Sequence, residues 1–403
     1  MKLKDIFEKP ISGEWGKEVG EGEKGSKVIR TTNFTNIGML DLSSIVERDI
    51  DSIKHENKKL KFGDIIIEKS GGSPTQPVGR VVIFEETNEE VYFCNNFTSI
   101  LRPNKNIVPK FGLYLLKNLY NKKKVLKFQN KTTGIINIKL NDYLNNTEIT
   151  IPNLEVQNRI VEVLNKTQEL IDKRKEQIES LDELVKSKFI EMFGTPIEKR
   201  FIGKTLPEII AEGRYSLKRG PFGGSLKKDD FIQEGYLVYE QRHAIHNDFD
   251  YAKYYISKDK YDEMIMFKVE PKDLLVSCSG VTLGRISEVP EGAKAGIINQ
   301  ALLKITLNQD IMNNIYFMQL FRNEQIQDKL FGFSRGSGIP NFPSMSEVKS
   351  MEFLCPPIEL QNKFADFVNN IDKLKFEMEK SLKELEDNFN SLMQKAFKGE
   401  LFK

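Results

Sequence analysis

The stretch Pro152–Phe193, PNLEVQNRIVEVLNKTQELIDKRKEQIESLDELVKSKFIEMF, returns at Pro356–Phe397 as PPIELQNKFADFVNNIDKLKFEMEKSLKELEDNFNSLMQKAF. The two copies align without a gap at a displacement of 204 residues, the distance from Gln157 to Gln361 (361 − 157). Pro152/Pro356, Glu155/Glu359, Gln157/Gln361, Asn158/Asn362, Asn165/Asn369, Leu170/Leu374, Leu181/Leu385, Ser187/Ser391 and Phe193/Phe397 are identical. Such a repeat has to be read before anything else, because it sets the architecture of the whole chain.

Each copy carries a seam with alternating spacings of four and three, the mark of helices that pair with other helices. The first seam reads Ile160, Leu164, Thr167, Ile171, Arg174, Ile178, Leu181, Val185, Lys188, Met192. The second reads Phe364, Val368, Ile371, Lys375, Met378, Leu382, Leu385, Phe389, Leu392, Ala396. Polar Thr167, Arg174 and Lys188 stand opposite apolar Ile371, Met378 and Leu392 in the alignment, and Lys375 matches Ile171. Two helices specialised for each other would differ in this way. A continuous helix from Gln157 to Phe193 would be about 54 Å long at ~1.5 Å per residue, a spacer.

Outside the helices the repeat continues. Residues 1–150 hold short apolar, β-branched runs such as Asp64-Ile65-Ile66-Ile67, Val81-Val82-Ile83-Phe84 and Val91-Tyr92-Phe93, broken by Gly, Pro and Asn. That is the pattern of strands with tight connections. Phe111–Tyr120 reads as a short helix, and Gly194-Thr195-Pro196 ends the first long helix with two breakers. In the second half Asp273-Leu274-Leu275-Val276 stands where Asp64-Ile65-Ile66-Ile67 did, each followed by a Ser/Gly loop and then Gly79-Arg80 or Gly284-Arg285. Thr133-Gly134-Ile135-Ile136-Asn137 matches Ser337-Gly338-Ile339-Pro340-Asn341, again 204 apart (338 − 134). The expectation is an α+β chain of two mixed α/β domains, 1–150 and 196–354, with long helices over 151–195 and 355–403 and an internal pseudo-two-fold repeat.

The totals fit this reading. At 403 residues the chain suits two to three domains, each with its own core. Sixty basic against fifty-eight acidic residues leave +2, so any basic surface has to be local. Cys94, Cys278 and Cys355 have no metal spacing and are odd in number, as in a reduced, cytoplasmic compartment. No apolar run approaches the roughly 18 residues of a membrane helix, and the N-terminal MKLKDIFEKP lacks a signal core.

The chain resembles the specificity subunit of type I restriction-modification systems. Ile151-Pro152-Asn153-Leu154-Glu155-Val156-Gln157 and Cys355-Pro356-Pro357-Ile358-Glu359-Leu360-Gln361, each leading into its long helix, carry the likeness, with the Thr-Gly-Ile-x-Asn and Ser-Gly-Ile-x-Asn segments upstream. Arg219-Gly220-Pro221-Phe222-Gly223-Gly224-Ser225-Leu226-Lys227 is similar to the Gly-Pro-Phe-Gly-Ser opening of such domains, with Gly224 inserted. In the first half Ser12-Gly13-Glu14-Trp15-Gly16-Lys17 occupies the comparable place. The resemblance implies two target-recognition domains, each reading half of a split, asymmetric DNA sequence, and antiparallel helices that fix the gap and dock adenine methyltransferase subunits. A translocating endonuclease subunit would join them. It also implies no cofactor in this chain, with S-adenosylmethionine, ATP and Mg belonging to the partners.

Tests for chemistry within the chain come back negative. Gly203-Lys204-Thr205 ends like a phosphate-binding loop, but Glu198 stands where its first glycine should be. No Asn-Pro-Pro or Asp-Pro-Pro appears. Asp262 with Glu270-Pro271-Lys272 only superficially fits a nuclease set, His243 and His246 lack a third Cys or His nearby, and the glycine loop Gly332–Gly338 lacks the strand and helix of a dinucleotide site. The expectation is a non-catalytic subunit, against which stands a coiled-coil adaptor that joins proteins without DNA.

Candidate DNA contacts follow from residue type. Lys69, Ser73, Thr75, Gln76 and Arg80 surround the Ser70–Pro77 loop, where hydroxyls, an amide and a guanidinium suit base edges and phosphates; an ordinary hairpin turn accounts for the same residues. Lys127, Gln129 and Lys131, after Lys122-Lys123-Lys124, form a basic run that a solvated helix end explains equally well. In the second half Lys218, Arg219, Lys227 and Lys228 flank a Gly-rich turn, Gln241, Arg242 and His243 follow a strand, and Ser277, Ser279, Arg335 and Ser337 complete the set. Arg285 belongs to the matching framework and reads as structural.

Overall fold

The computed structural model describes residues 1–35, 37–72, 76–132, 135–195, 198, 200–222, 224–280, 282–332 and 342–402, with the backbone alone at 131 and 132. Ser73, Thr75, Thr133-Gly134, Pro196, Gly223, Arg335 and the segment Ser337–Asn341 therefore lie outside the described residues. Two compact units are present: Met1–Lys175 with Lys380–Lys403, and Glu176–Glu379. Each unit takes in part of both helical repeats.

In the first unit the strands are β1 (Ile11–Ser12), β2 (Ser26–Ile29), β3 (Val46–Arg48), β4 (Ile65–Glu68), β5 (Ser70–Gly71), β6 (Val81–Ile83), β7 (Tyr92–Cys94), β8 (Thr98–Leu101), β9 (Gln129–Thr132) and β10 (Ile135–Ile138). An antiparallel sheet runs β1-β8-β4-β6, a second runs β3-β2-β7 with β2 and β7 parallel, and a third runs β5-β10-β9. Side chains alternate across a strand, and β4 uses both faces. Ile65 and Ile67 join the core that holds helix α1 (Pro109–Asn121), whereas Ile66 faces the core of Ile29, Tyr92 and Ile100. Burial on both faces is why this strand reads as an unbroken apolar run. Helix α2 (Leu140–Asn146) leads to the long helix α3 (Leu154–Phe193). Gly194, at φ +74°, ends α3 in the left-handed conformation that glycine takes at little cost.

The second unit repeats this frame. Its strands are β11 (Gly203–Thr205), β12 (Leu217–Arg219), β13 (Tyr236–Tyr239), β14 (Tyr255–Ile256), β15 (Lys268–Val269), β16 (Leu274–Ser277), β17 (Ile286–Glu288), β18 (Gly296–Ile298), β19 (Leu302–Ile305) and β20 (Glu352–Leu354). Its antiparallel sheet β12-β19-β16-β17 has the order of β1-β8-β4-β6, and β13 and β18 pair in parallel as β2 and β7 do. The short helices are α4 (Leu206–Ile209), α5 (Gln241–His246), α6 (Lys258–Glu263), α7 (Asn314–Arg322), α8 (Glu324–Phe331) and α9 (Met345–Ser350), followed by the long helix α10 (Ile358–Lys398).

The repeated glutamines fix the long helices to these frames in the same way. Gln157 accepts from the Val108 amide at 2.8 Å and donates to the carbonyls of Asn106 and Pro152 at 3.1 and 3.0 Å. Gln361 accepts from the Asn313 amide at 2.9 Å and donates to Ile311 and Pro356 at 3.0 and 2.8 Å. Both amides are buried and fully engaged, as a buried polar group has to be.

Within each unit the stretches of α3 and α10 run antiparallel. In the first, Arg159 lies 4.4 Å from the ring of Phe402 and Lys175 pairs with Glu386 at 3.0 Å, while Phe111 and Tyr114 of α1 pack on Phe397 and Phe389. In the second, Phe193 and Phe189 meet Phe364 at 5.5 Å, and Lys375 donates to both carboxylate oxygens of Asp182 at 2.7 and 2.8 Å. Every seam residue named above is buried or half-buried. Among the described residues no helix is long and apolar enough to cross a membrane, and all three cysteines are free thiols.

Candidate nucleic-acid interface

Of the expected contact residues, Lys69 and Arg80 in the first unit and Arg219 and Ser279 in the second stand at one end of their unit's antiparallel sheet, and Gln241 is bonded to Ser279. The registers define the equivalent places. Ser12 pairs with Ser99 and Arg219 with Leu303, which stand 204 apart (303 − 99), so the end of β1 is the end of β12. Likewise Glu68 pairs with Thr98 and Ser277 with Leu302, so Lys69 and Cys278 follow equivalent residues. Gly13 and Gly220 confirm the match: a Cβ on either would come within 2.1 or 1.8 Å of the carbonyl oxygen of Asn95 or Asn299. That close approach admits only glycine and explains why Ser12-Gly13 and Arg219-Gly220 share a place.

In the first unit Lys69 donates to the hydroxyl of Ser12 at 2.7 Å, and burial holds its pKa below the ordinary lysine value. In the second the cation is Arg219, next to Cys278, whose thiol burial pushes up to about 12. The positive charge has thus changed strands between the two units. Ser12 to Arg219 is 207 residues and Lys69 to Cys278 is 209, against 204 in the helices. A gapless reading of the repeat therefore cannot align them.

Around Arg219 the second unit assembles residues from four segments. The guanidinium lies 5.3 Å from the ring of Phe222 and 5.6 Å from that of Phe342, close enough for cation–π attraction. Its Nε is buried without a hydrogen-bond partner. The Phe342 amide donates to Cys278, and the Ser279 amide donates to the side-chain oxygen of Gln241 at 3.3 Å. Arg219, Gln241 and Ser279 are therefore brought together. Lys218 stacks instead on Phe267 at 5.1 Å, and exposed Lys227 precedes a short turn closed by Asp230. Exposed Arg242 pairs with Asp248 at 3.5 Å and lies over Tyr251 at 4.4 Å.

His243 departs from the expectation. It is fully buried, with Nδ1 accepting from the Glu240 amide at 2.9 Å and Nε2 2.9 Å from the carbonyl of Tyr251. Both ring nitrogens are committed to the loop that carries Arg242, so His243 shapes that loop and cannot reach a base. Among the described residues no cluster of His, Cys, Asp and Glu is arranged to hold a metal ion.

In the first unit Gln129 donates to the Val78 carbonyl at 2.9 Å, the Lys69 carbonyl accepts from Ile138, and Lys131 lies opposite Ile136 in β9. This joins Lys69 and Val78 to the strands that follow the basic run, in which Lys122, Lys123, Lys124 and Lys127 are exposed. Gln76, Arg80, Thr35, Lys117 and Tyr120 line a cavity of about 220 Å³. Arg80 is not free there. Its guanidinium grips both oxygens of buried Glu68 at 3.1 Å and donates to the Thr31 carbonyl at 3.3 Å. At the matching place exposed Arg285 meets Ser277, whose hydroxyl accepts from the Arg285 amide at 3.0 Å. The framework arginine of the first half is thus locked by a carboxylate that the second half lacks. Lys117 was not singled out in the sequence. Its ammonium donates to the Ile37 carbonyl, and burial lowers its pKa to about 8.

The model for the type I restriction modification DNA specificity domain matches residues 1–180 and 222–387. The chain belongs to the type I restriction-modification specificity family. A Methanocaldococcus jannaschii protein named as a type I restriction enzyme specificity subunit is 23% identical over 99% of this chain and 92% of its own length. The fold is shared with the S subunit of the type I restriction-modification system from M. genitalium, at TM-score 0.53 and 17% identity over 98% of this chain and 95% of that one. It is shared also with a chain from a structure of type I system assembly and conformational transition, at TM-score 0.63 and 14% identity over 100% and 97%. The specificity family thus accounts for the duplicated frame described above.

Proposed function

We propose that this specificity-family chain is a non-catalytic DNA reader that binds a bipartite, asymmetric duplex site, each unit reading one half. The observation that carries the reading is one frame used twice with different chemistry at the same places: Lys69 beside Ser12 in one unit, Arg219 beside Cys278 in the other. Two equal frames suit two half-sites on one DNA face, about one turn or 34–36 Å apart. Unequal side chains make the halves read different letters. The paired stretches of α3 and α10 set the gap and dock adenine methyltransferase subunits, to which an endonuclease subunit adds. S-adenosylmethionine, ATP and Mg act in those partners, and the chain itself binds no cofactor.

A base-resolved adenine-methylation map of a host with and without the gene tests this. One split motif should lose methylation when the gene is removed; an unchanged map, with chain and methyltransferase both expressed, would overturn the reading. The rival, an adaptor joining proteins without DNA, predicts no salt-dependent duplex binding by the assembled complex. A reader loses affinity as salt rises, with a log–log slope of about −0.9 per phosphate contact.

A further inference from the structure

We propose that Phe97 and Phe222 are apolar wedges, one per unit, each entering a base step of the half-site its unit reads. This rests on the DNA-reading function proposed above and adds what the two halves do to the duplex. Phe97 is 48% exposed and Phe222 62% exposed, and both stand at the sheet end that also bears the cation.

The two phenylalanines are not repeat equivalents. The Phe97 carbonyl accepts from the Lys69 amide at 2.7 Å, and the same bond in the second unit runs from Cys278 to Ala301 at 2.8 Å. The place of Phe97 is thus alanine in the second half, whereas Phe222 follows Gly220 by two residues, where the first half has Trp15. Trp15 is half-buried against Val28, Ile50 and Phe93, with the Arg48 guanidinium 4.2 Å over its ring. Each half therefore covers or deletes the aromatic at one place and exposes a phenyl at the other. Framework packing would bury the same position in both. An exposed ring and a neighbouring cation kept at one sheet end, although their strands are exchanged, point to a shared use.

The surroundings suit a wedge. Phe97 sits in a turn closed by the Thr98 amide on the Asn95 carbonyl at 3.0 Å, and Phe222 in one closed by the Ser225 hydroxyl on the Phe222 carbonyl at 2.8 Å. Lys69 and Arg219 lie beside them, placed for the phosphates that flank an opened step. Apolar side chains inserted between bases unstack and kink duplex DNA, and the cost depends on the step, which makes it a form of readout.

The test uses the complete complex with its methyltransferase subunits and duplexes carrying 2-aminopurine at single positions of each half-site, away from the methylated adenines. Wild type should raise fluorescence at one step in each half. F97A should abolish only the first signal and F222A only the second, each weakening binding by about ten- to a hundredfold, while F97L and F222L retain part of both effects. Exposed rings leave folding intact, checked by unchanged melting. Wild-type complex that binds its motif with no unstacking signal, or alanine variants that keep the signal and the affinity, would overturn the wedge. Failure of the wild-type complex to bind any split motif would instead sink the DNA reading beneath it.

Discussion

Arg80 and Arg285 occupy one place in the repeat and have opposite surroundings, so their removal should have unequal effects. Breaking a buried ion pair leaves an unpaired charge at a cost of about 3 kcal/mol or more. R80A, which strands Glu68, should destabilise the first unit by that order, whereas R285A on an exposed side chain should change stability by less than about 0.5 kcal/mol; chemical denaturation compares them. Lys117 offers a pH test. Its folded pKa of about 8 lies below the ordinary lysine value of the unfolded chain, so the unfolded state binds the extra proton and wild-type stability climbs as pH rises from about 8 to about 10.5. K117M lacks that climb. Its stability relative to wild type should fall by about 1–2 kcal/mol over this window, as the 1.36 kcal/mol per unit scale implies after discounting for partial exposure; equal pH profiles would contradict the buried ammonium. None of this was legible in the sequence. Glycine, proline and residue type located the loops, but whether Arg80 meets the Glu68 carboxylate, or His243 is swallowed between the Glu240 amide and the Tyr251 carbonyl, depends on how segments 3 to 12 residues apart fold against one another, which residue type alone does not state.

The long helices were the most legible elements, because their seam repeats a period that only a helix satisfies, and Gln157 and Gln361 announced their fixed anchors by identity alone. Strands were legible where both faces are buried, as in β4 and β16. The exchange of cation and phenyl between strands was hidden, since the globular parts drift from a displacement of 204 to 207 and 209. The period also supplies a test of the gap. Seven residues inserted at matching depths in α3 and α10 keep the spacings of four and three and lengthen each helix by about 10 Å. At about 3.4 Å per base pair the methylated motif should gain about three non-specific positions with its letters unchanged. An unaltered gap in the methylation map would refute the helices as the spacer.

At the scale of the molecule, a net charge of +2 concealed the local placement of cations at two sheet ends, which is why composition was silent on DNA. Two compact units also mean that unfolding need not be one transition, and effects such as that of R80A belong to one unit's melt. The division of the units bears on how the protein is made. Glu176–Glu379 is contiguous and can collapse while the ribosome is still at work, since domains fold as units during synthesis. The first unit cannot, because Lys380–Lys403 supplies Met393 and Ala396 to a core begun by Leu3 and Ile6. Its opening residues wait, at ~10 residues per second, on the order of forty seconds for their closing partner. A message cut short before that partner therefore yields one folded unit and one unsealed core.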